Sequence, residues 1–386
     1  MKLQMKKQSR ILAGRHLDSG NIAVAEGAIY AGLHGYYGYP ITPSTSIMER
    51  IVKRLPNLED PGYFLQCEDE IASITSTIGC SWTRKKAMTA TSGPGFSLMQ
   101  EGIGLAVMTE TPLVLVDVMR GGPSTGLPTF PGQQELMQAH FGSHGDYIIP
   151  TFAPWSVQEC FDLTVEAFNA AEALRTPVFL LSDQVLSSLK EKFVIPEEGA
   201  LEVVNRAHPG EIITWKGEEI SEEYVIGMNC FGEERKAFST GLSHDESGHV
   251  DLSAGTFSRM TNRMFSKIEK YQHLFPKAVH HRLDDAEIVI VSFGSTARSA
   301  YEAVEIARES GKKVGLFRLR TLWPFPVKEL EEVTKNREVI VVEMARDQLT
   351  WPVERAILRR VYHIAYPQGV IPPPSVILGK IVEVGE

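Results

Sequence analysis

The segment Gly38-Tyr39-Pro40-Ile41-Thr42-Pro43-Ser44-Thr45 decides how the first part of this chain folds. Two prolines bracket Ile41 and Thr42 directly after an aromatic, strand-like run, Tyr36–Tyr39. Each proline fixes its own φ and moves the preceding residue out of helical space. We therefore predict a stiff loop at the end of a strand, which presents the Thr42 hydroxyl. Taken alone, an ordinary strand-to-helix turn would show the same pattern.

Three further polar segments follow at the intervals of a repeating βα unit. They are the acidic run Glu68-Asp69-Glu70, the turn Thr91-Ser92-Gly93-Pro94-Gly95 and the loop Arg120-Gly121-Gly122-Pro123-Ser124-Thr125-Gly126. Each follows a predicted strand, at Tyr63–Cys67, Ala87–Thr91 and Pro112–Met119. In open α/β sheets, ligands bind beyond the carboxyl ends of the strands. We therefore expect all four segments to contribute to one site.

The same alternation of helices and strands continues to about residue 190. The other elements predicted there are helices after Ser19 and at Ser46–Leu55, Glu70–Thr83, Phe96–Thr109, near Leu136 and at Val157–Leu174, and strands at Tyr147–Phe152 and Val178–Leu181. Repeated βα units with short connections predict a doubly wound α/β domain over residues 1–190.

Residues 191–283 break this rhythm, apart from a predicted helix near Met260–Tyr271. Because the segment carries Trp215, Tyr224, Phe231 and Phe238, we expect a connecting excursion that wraps the first domain. Regular α/β structure resumes over residues 284–386 and predicts a second, smaller domain. Its predicted elements are Glu287–Phe293, Thr296–Glu309, Lys313–Leu319, Val327–Asn336, Glu338–Glu343 and Trp351–Val361.

The composition is that of a soluble globular protein, with 386 residues, 43% hydrophobic and 23% charged. The net charge of -9 argues against nucleic acid as the main partner. Lys2, Lys6, Lys7 and Arg10 cluster near the N-terminus, but no apolar stretch follows them. We therefore expect no signal peptide, no membrane segment and a cytoplasmic location.

The four cysteines, Cys67, Cys80, Cys160 and Cys230, are scattered along the chain. None belongs to a closely spaced pair of the kind that binds zinc or an iron–sulfur cluster. We expect them to be reduced, buried small residues. Any iron–sulfur centre would then lie on another chain.

Glu70 has two interpretations from the sequence. The acidic run could simply stabilise the N-terminus of a helix, at about 0.3–1 kcal/mol per carboxylate. Alternatively, Glu70 is held in a partly apolar interface, where desolvation raises its pKa and it hydrogen-bonds a heterocycle nitrogen. The turn Thr91–Gly95 supports the second interpretation, because its glycines bring bare backbone against a flat ligand.

These motifs resemble a known family. A glutamate followed 21 residues later by Thr-Ser-Gly-Pro-Gly is similar to the pyrimidine-binding domain of thiamine-diphosphate enzymes. Together with the Tyr39–Ser44 and Arg120–Gly126 segments, it resembles the alpha subunit of 2-oxoacid:ferredoxin oxidoreductases of the 2-oxoglutarate type. The resemblance spans nearly the whole chain, and the C-terminal domain is similar to the transketolase C-terminal fold. Ala345 and Asp347 depart from it, since relatives often carry Asn and Gly there.

The resemblance implies oxidative decarboxylation of 2-oxoglutarate with coenzyme A, giving succinyl-CoA, carbon dioxide and reduced ferredoxin. It implies that Glu70 contacts the pyrimidine of thiamine diphosphate, with Ser92 and Gly93 also binding the cofactor. Arg120 would hold the substrate carboxylate, a task that suits its planar fork of donors. Thr42 and Thr129 would line the substrate pocket.

The sequence lacks the motif that would bind the diphosphate half of the cofactor. Binding a diphosphate through Mg²⁺ in such enzymes requires Gly-Asp-Gly with a downstream Asn, and the nearest candidate, Gly145-Asp146-Tyr147, lacks the second glycine. By resemblance, a beta subunit supplies thiamine diphosphate with Mg²⁺ and at least one [4Fe-4S] cluster. Gamma and delta subunits, and the identity of the final acceptor, stay open.

Several alternatives remain at the level of single residues. Arg120 could cap carbonyls of its own glycine-rich loop, and Thr129 could be an ordinary turn residue. His140 and His144 have the spacing of a metal pair, but Gly142 and Gly145 make a continuous helix unfavourable. We therefore assign no metal, and the role of His144 stays open.

Two classes of alternative function also remain. The same chemistry could act on pyruvate, a branched-chain 2-oxoacid or indolepyruvate, since contacts to the substrate side chain could lie on the beta subunit. The chain could instead be a non-catalytic scaffold subunit, although the presence of Thr42, Glu70 and Arg120 argues against it. A self-sufficient decarboxylase is disfavoured by the missing Mg²⁺ motif.

Overall fold

The computed structural model describes residues 7–385; Lys2 and Lys6 of the basic N-terminal cluster lie outside this range. Its strands are β1 Gly14–Ser19, β2 Gly35–Gly38, β3 Tyr63–Gln66, β4 Ala87–Thr91, β5 Leu113–Met119, β6 Thr151–Phe152, β7 Pro177–Asp183, β8 Lys190–Ile195, β9 Ile213–Trp215, β10 Glu218–Ile220, β11 Val279–His281, β12 Ile288–Phe293, β13 Val314–Leu319, β14 Thr321–Trp323, β15 Glu338–Glu343 and β16 Tyr362–Ala365.

The helices connect these strands and cover the sheets that they form. They are α1 Gly20–Tyr30, α2 Thr45–Arg54, α3 Glu70–Ser81, α4 Pro94–Leu98, α5 Gln100–Met108, α6 Leu136–Phe141, α7 Val157–Leu174, α8 Gln184–Ser188, α9 Ala254–Tyr271, α10 Thr296–Glu309, α11 Val327–Thr334, α12 Thr350–Ile357 and α13 Pro374–Val384. No helix within residues 7–385 is long and apolar enough to cross a membrane.

The larger sheet has seven strands in the order β14-β6-β7-β5-β4-β2-β3. All neighbouring pairs are parallel except β14 with β6. Helices α1 and α7 contribute to the apolar core on one face, and α3 and α5 contribute to the core on the other. The predicted doubly wound α/β architecture is confirmed.

Four adjacent strands of this sheet carry the four polar segments of the sequence. The segments follow β2, β3, β4 and β5 respectively, so they meet at one edge, as predicted. Strand β5 is buried along its whole length, although Asp117 lies within it.

The smaller sheet has five strands in the order β11-β13-β12-β15-β16, with only β11 antiparallel to its neighbour. Helices α10 and α13 pack on its outer face. Its inner face shares one core with the larger sheet, in which Phe96 and Phe179 join Val291 and Phe317. Strand β14 leaves the C-terminal region and pairs with β6 of the larger sheet, so hydrogen bonds also join the two units.

The segment that connects the two sheets along the chain is anchored by buried groups. Trp215 is fully buried in the core beside α1 and α7. Arg206 donates to both oxygens of Glu172, at 2.8 and 2.6 Å. By contrast, Phe231 and Phe238 are exposed, so aromatic content alone did not identify the anchoring positions.

Several predicted elements differ from the structure. The helix predicted over Phe96–Thr109 begins at Pro94 and is interrupted at Met99, giving α4 and α5. The strand predicted over Tyr147–Phe152 contains only Thr151 and Phe152. The last predicted helix ends at Ile357, because Leu358 adopts the left-handed conformation at φ 53°. The sequence analysis missed strands β1, β8, β9, β10, β11, β14 and β16 and helices α8 and α13.

Two smaller expectations also need correction. Ser19 occupies the N-cap position of α1, but its side chain makes no capping hydrogen bond. All four cysteines are free thiols, yet Cys80 is only partly buried, since it lies near the end of α3.

Candidate active site

Glu70 is the first residue of α3, and its neighbour Asp69 caps that helix. The Asp69 side chain accepts a hydrogen bond from the Ala72 N–H at 2.7 Å. Glu70 itself is only 5% exposed. Because Asp69 already satisfies the helix N-terminus, capping does not account for burying a second carboxyl group.

The Glu70 side chain packs directly against the turn that follows β4. A Cβ added to Gly95 would collide with the side chains of Glu70 and Thr91, whereas one at Gly79 of α3 would meet open space. Burial raises the pKa of Glu70, the Asp69 carboxylate adds to this effect, and the positive charge of Arg120 opposes it. The site therefore favours a Glu70 that can hold a proton more readily than an exposed glutamate.

The turn between β4 and α4 exposes polar groups without partners. Gly93 has φ 41° and ψ -99°, a conformation that favours glycine. The hydroxyl oxygens of Thr91 and Ser92 are buried and make no hydrogen bond within residues 7–385. Buried polar groups normally have partners, so these hydroxyls indicate a place for a ligand or ordered water.

Arg120 follows β5 and ties two loops together. Its Nη1 donates to the Thr42 carbonyl at 2.5 Å, and its Nη2 donates to the Thr125 carbonyl at 3.2 Å. The side chain is buried, and Nε has no partner in the described part of the chain. Arg120 therefore does bind a carbonyl of its own loop, as one alternative held, but retains unused N–H groups for an anion.

Three buried carboxyl groups surround this guanidinium. Burial lowers the pKa of Arg120, and the negative charges of Glu135, Asp117 and Glu70 oppose that shift, in that order. Because an arginine stays charged in proteins, the guanidinium carries a fixed positive charge in a poorly solvated place. Such a charge attracts a substrate carboxylate strongly.

The two threonines are placed differently. Thr42 is exposed, and it reaches Arg120 through its backbone carbonyl, whereas its hydroxyl has no hydrogen bond to a described residue. Thr129 is exposed in the loop after Arg120, and its side chain likewise bonds to none of the described residues. The loop folds back on itself, since Gly121 N–H donates to the Phe130 carbonyl at 3.0 Å.

The two histidines do not form a cluster. His140 lies in α6 and stacks on Trp323 with ring centroids 4.0 Å apart, and burial lowers its pKa. His144 lies beyond the helix, and its side chain is 88% exposed, 3.9 Å from the Glu101 carboxylate. Within residues 7–385, no group of three or more His, Cys, Asp or Glu residues could hold a metal ion.

Sequence reasoning missed two acidic residues in the site. Asp117 of β5 is 0% exposed, and Glu135, just before α6, is 5% exposed. Burial raises the pKa of both carboxyls, and that of Glu135 rises to about 7. A carboxylate within an apolar strand was the available signal for Asp117, whereas Glu135 lies in a polar loop that gave none.

The second domain also reaches the site. Gln348, in the loop after β15, donates to the Gln134 carbonyl at 2.5 Å. Gly93, Glu135 and Arg346 share a cleft of about 390 Å³ with residues of the Arg120 loop.

Comparison with known proteins shows the family of this chain. Residues 26–262 match the family model described as pyruvate flavodoxin/ferredoxin oxidoreductase, thiamine-diphosphate binding. Residues 286–370 match core domain II of pyruvate:ferredoxin oxidoreductase. The 2-oxoglutarate synthase subunit KorA of Methanocaldococcus jannaschii is 47% identical over 87% of this chain and 90% of its own length. The chain belongs to the 2-oxoacid:ferredoxin oxidoreductase family.

Other relatives in this family support the same assignment. The KorA subunit of Methanothermobacter marburgensis is 44% identical over 94% of this chain and 97% of its own length. The 2-oxoglutarate:ferredoxin oxidoreductase of Magnetococcus marinus, solved with 2-oxoglutarate, coenzyme A and succinyl-CoA bound, superposes with a TM-score of 0.89 at 33% identity. That match covers 96% of this chain and 65% of the other. The family resemblance inferred from the sequence is confirmed.

A more distant likeness concerns the fold alone. The transketolase of Campylobacter jejuni superposes with a TM-score of 0.53 at 13% identity, over 95% of this chain and 47% of the other. The expected combination of a thiamine-diphosphate-binding domain and a transketolase C-terminal-like domain is therefore confirmed as a fold class.

Proposed function

We propose that this chain is the alpha subunit of an enzyme that decarboxylates 2-oxoglutarate oxidatively. With coenzyme A, the products are succinyl-CoA, carbon dioxide and reduced ferredoxin. The observation that carries the proposal is the convergence of Glu70, the Ser92–Gly93 turn and Arg120 at one sheet edge. Relatives named 2-oxoglutarate synthase subunit KorA, and a related enzyme solved with 2-oxoglutarate and coenzyme A, support the choice of substrate.

The residues at this edge fit one half of thiamine diphosphate. Glu70 offers a carboxyl group that can share a proton with a ring nitrogen. The positive φ of Gly93 and the unpartnered Ser92 hydroxyl offer bare backbone and a hydrogen-bonding group to the edge of a flat ring. Thiamine diphosphate, when bound, supplies the carbon nucleophile and electron sink that decarboxylation of a 2-oxoacid requires.

Glu70 is proposed to hold or release a proton at the pyrimidine nitrogen. Its pKa is raised mainly by burial, so this carboxyl group holds a proton more readily than an exposed glutamate does. The packing of Gly95 against its side chain fixes the carboxyl position, which limits the orientations it can adopt.

Arg120 is proposed to orient the 2-oxoacid by binding its carboxylate next to the oxo group. Its Nη1 and Nη2 bonds to two loops hold the guanidinium in place before substrate arrives. Thr42 and Thr129 are proposed to line the substrate pocket from the two loops that flank Arg120. Their exposed hydroxyls are available for this role.

The remaining parts of the site are proposed to lie on partner subunits. The described residues lack a cluster of metal ligands, and the four cysteines are scattered free thiols. A beta subunit would supply Mg²⁺, the diphosphate-binding residues and a [4Fe-4S] cluster, and ferredoxin would accept the electrons. Residues 1–190, 191–283 and 284–386 are proposed as the pyrimidine-binding domain, the connecting excursion and a C-terminal interface domain.

A second substrate class has specific support. Ketoisovalerate oxidoreductase subunit VorB of Methanothermobacter thermautotrophicus is 37% identical over 87% of this chain and 88% of its own length. The same residues could therefore serve a branched-chain 2-oxoacid, because Glu70 and Arg120 address groups common to all 2-oxoacids.

Substrate choice is tested by dye reduction with the anaerobically purified complex and coenzyme A. We expect 2-oxoglutarate to give the largest kcat/KM among 2-oxoglutarate, pyruvate, 2-oxoisovalerate and indolepyruvate. A preference for another oxoacid would retain the mechanism and reject the substrate. Inactivity towards all four, in a complex shown to contain thiamine diphosphate and iron, would support a scaffold role.

Changing Glu70→Gln tests its role in proton exchange. We expect kcat to fall at least about 100-fold, because the amide cannot exchange a proton with the ring nitrogen. The complex should still assemble, since Gln has nearly the same shape. Glu332→Gln, at an exposed position of α11, is the control and should keep wild-type turnover. Wild-type activity in Glu70→Gln would reject the assignment.

Changing Arg120→Lys tests whether Arg120 binds the carboxylate of the 2-oxoacid. Lysine keeps the charge but loses the planar fork, so the KM for 2-oxoglutarate should rise about tenfold or more. The KM for coenzyme A should change little. Arg360→Lys, at a side chain that is 92% exposed, is the control. Equal increases in both KM values would indicate that Arg120 only supports the loops.

A further inference from the structure

Two of the buried carboxyl groups around Arg120 have no role in the proposed function. Asp117 and Glu135 are 0% and 5% exposed, and both oxygens of Asp117 lack a well-formed hydrogen bond within residues 7–385. Burying carboxyl groups is costly unless they are paired or neutral. Their presence beside a buried guanidinium therefore needs a functional or electrostatic reason.

Glu135 and Arg120 both lie close to Gly93. The Arg120 Nε and the Glu135 Oε1 each lie 3.7 Å from the position that a Cβ of Gly93 would occupy. The Nε nevertheless has no hydrogen-bond partner among the described residues. The Glu135 carboxyl is held instead by the backbone, since it accepts the Gln134 N–H at 3.0 Å. Glu135 thus balances the charge of Arg120 without occupying its donors.

We propose that Glu135 is a positioning residue that takes up a proton when the carboxylate of the 2-oxoacid binds Arg120. This inference rests on the proposed function, in which Arg120 binds that carboxylate. In the free site, ionised Glu135 offsets the positive charge of Arg120. When the substrate carboxylate binds, its negative charge offsets the positive charge of Arg120 instead. A proton from solvent then binds Glu135, so no excess negative charge is left buried. No bond of the substrate is made or broken in this step.

Charged groups from several elements lie around Glu135. Asp117 of β5 and Arg120, directly after β5, interact electrostatically with Glu135, and Glu70 of α3 acts on the same guanidinium. Glu135 and Arg346 of the second domain line the same cleft of about 390 Å³. Burial and then the charge of Glu135 hold the pKa of Asp117 well above its usual range, so Asp117 holds a proton more readily than an exposed aspartate does.

The sign of the pH dependence follows from this arrangement. Burial raises the pKa of Glu135 to about 7 in the free site. A substrate carboxylate at Arg120 adds negative charge and raises that pKa further. The complex then binds more protons than the free enzyme above pH 7, so affinity for the oxoacid falls as pH rises through this range. One coupled proton gives at most about a tenfold change per pH unit.

The test is the pH profile of KM for 2-oxoglutarate, measured with the assembled complex over about two pH units around neutrality. In the wild type, the KM should rise as pH increases above about 7, and in Glu135→Gln this rise should be lost because the amide resembles the protonated acid. The KM for coenzyme A should follow the same profile in both proteins. Glu332→Gln, at an exposed position of α11, should keep the wild-type profile.

A wild-type slope in Glu135→Gln would overturn the proposal, as would a pH-independent KM in the wild type. If Glu135→Gln fails to assemble, Asp117→Asn decides the question. It should retain the rise in KM, because Glu135 is intact in this variant. Loss of the rise would show that Asp117, and not Glu135, takes up the proton. Failure of the proposed function is distinguishable, since it would appear as absent turnover with 2-oxoglutarate or an unchanged KM in Arg120→Lys.

Discussion

The buried positive charge of Arg120 is the constraint on which the candidate site depends. Its guanidinium joins the loops after β2 and β5 through the carbonyls of Thr42 and Thr125. Glu70, Asp117 and Glu135 surround it without saturating its donors. A charge with little solvent and unused N–H groups is well prepared for an anion, because the cost of ordering and desolvating the site is met during folding. The loops after β2 and β5, the three carboxyl groups and the turn at Gly93 together form the surroundings of that charge.

The fold places this charge where a second polypeptide can complete the site. Parallel strands β3, β2, β4 and β5 bring Glu70, the Ser92–Gly93 turn and Arg120 to one edge, and the shared core fixes the second domain beside them. That arrangement fits the pyrimidine half of thiamine diphosphate and the carboxylate of a 2-oxoacid. In the proposed function, a partner subunit supplies Mg²⁺ and the diphosphate-binding residues, so catalysis would depend on the interface between the subunits.

The sequence predicted the parts of the molecule that follow a local rule. The βα alternation and the Thr-Ser-Gly-Pro-Gly turn predicted that Glu70 and Arg120 follow strands of one parallel sheet, because parallel topology follows from repeated short connections. Contacts between distant segments were not predictable in this way. The pairing of β14 with β6 and the approach of Glu135 to Gly93 depend on tertiary packing, which no local pattern encodes. The domain boundaries after residues 190 and 283, and the roles of Thr42 and Thr129, stay predictions.

The central claim is that this chain supplies only half of a thiamine-diphosphate site. Calorimetric titration of thiamine diphosphate with Mg²⁺ tests it most directly, using the purified chain alone and the same chain assembled with its partner subunits. Circular dichroism would first establish that the isolated chain is folded. The account predicts no measurable binding to the folded chain alone and saturable binding, at one cofactor per chain, to the assembly. Equal affinity in both samples would contradict it, because the chain would then hold the whole cofactor by itself.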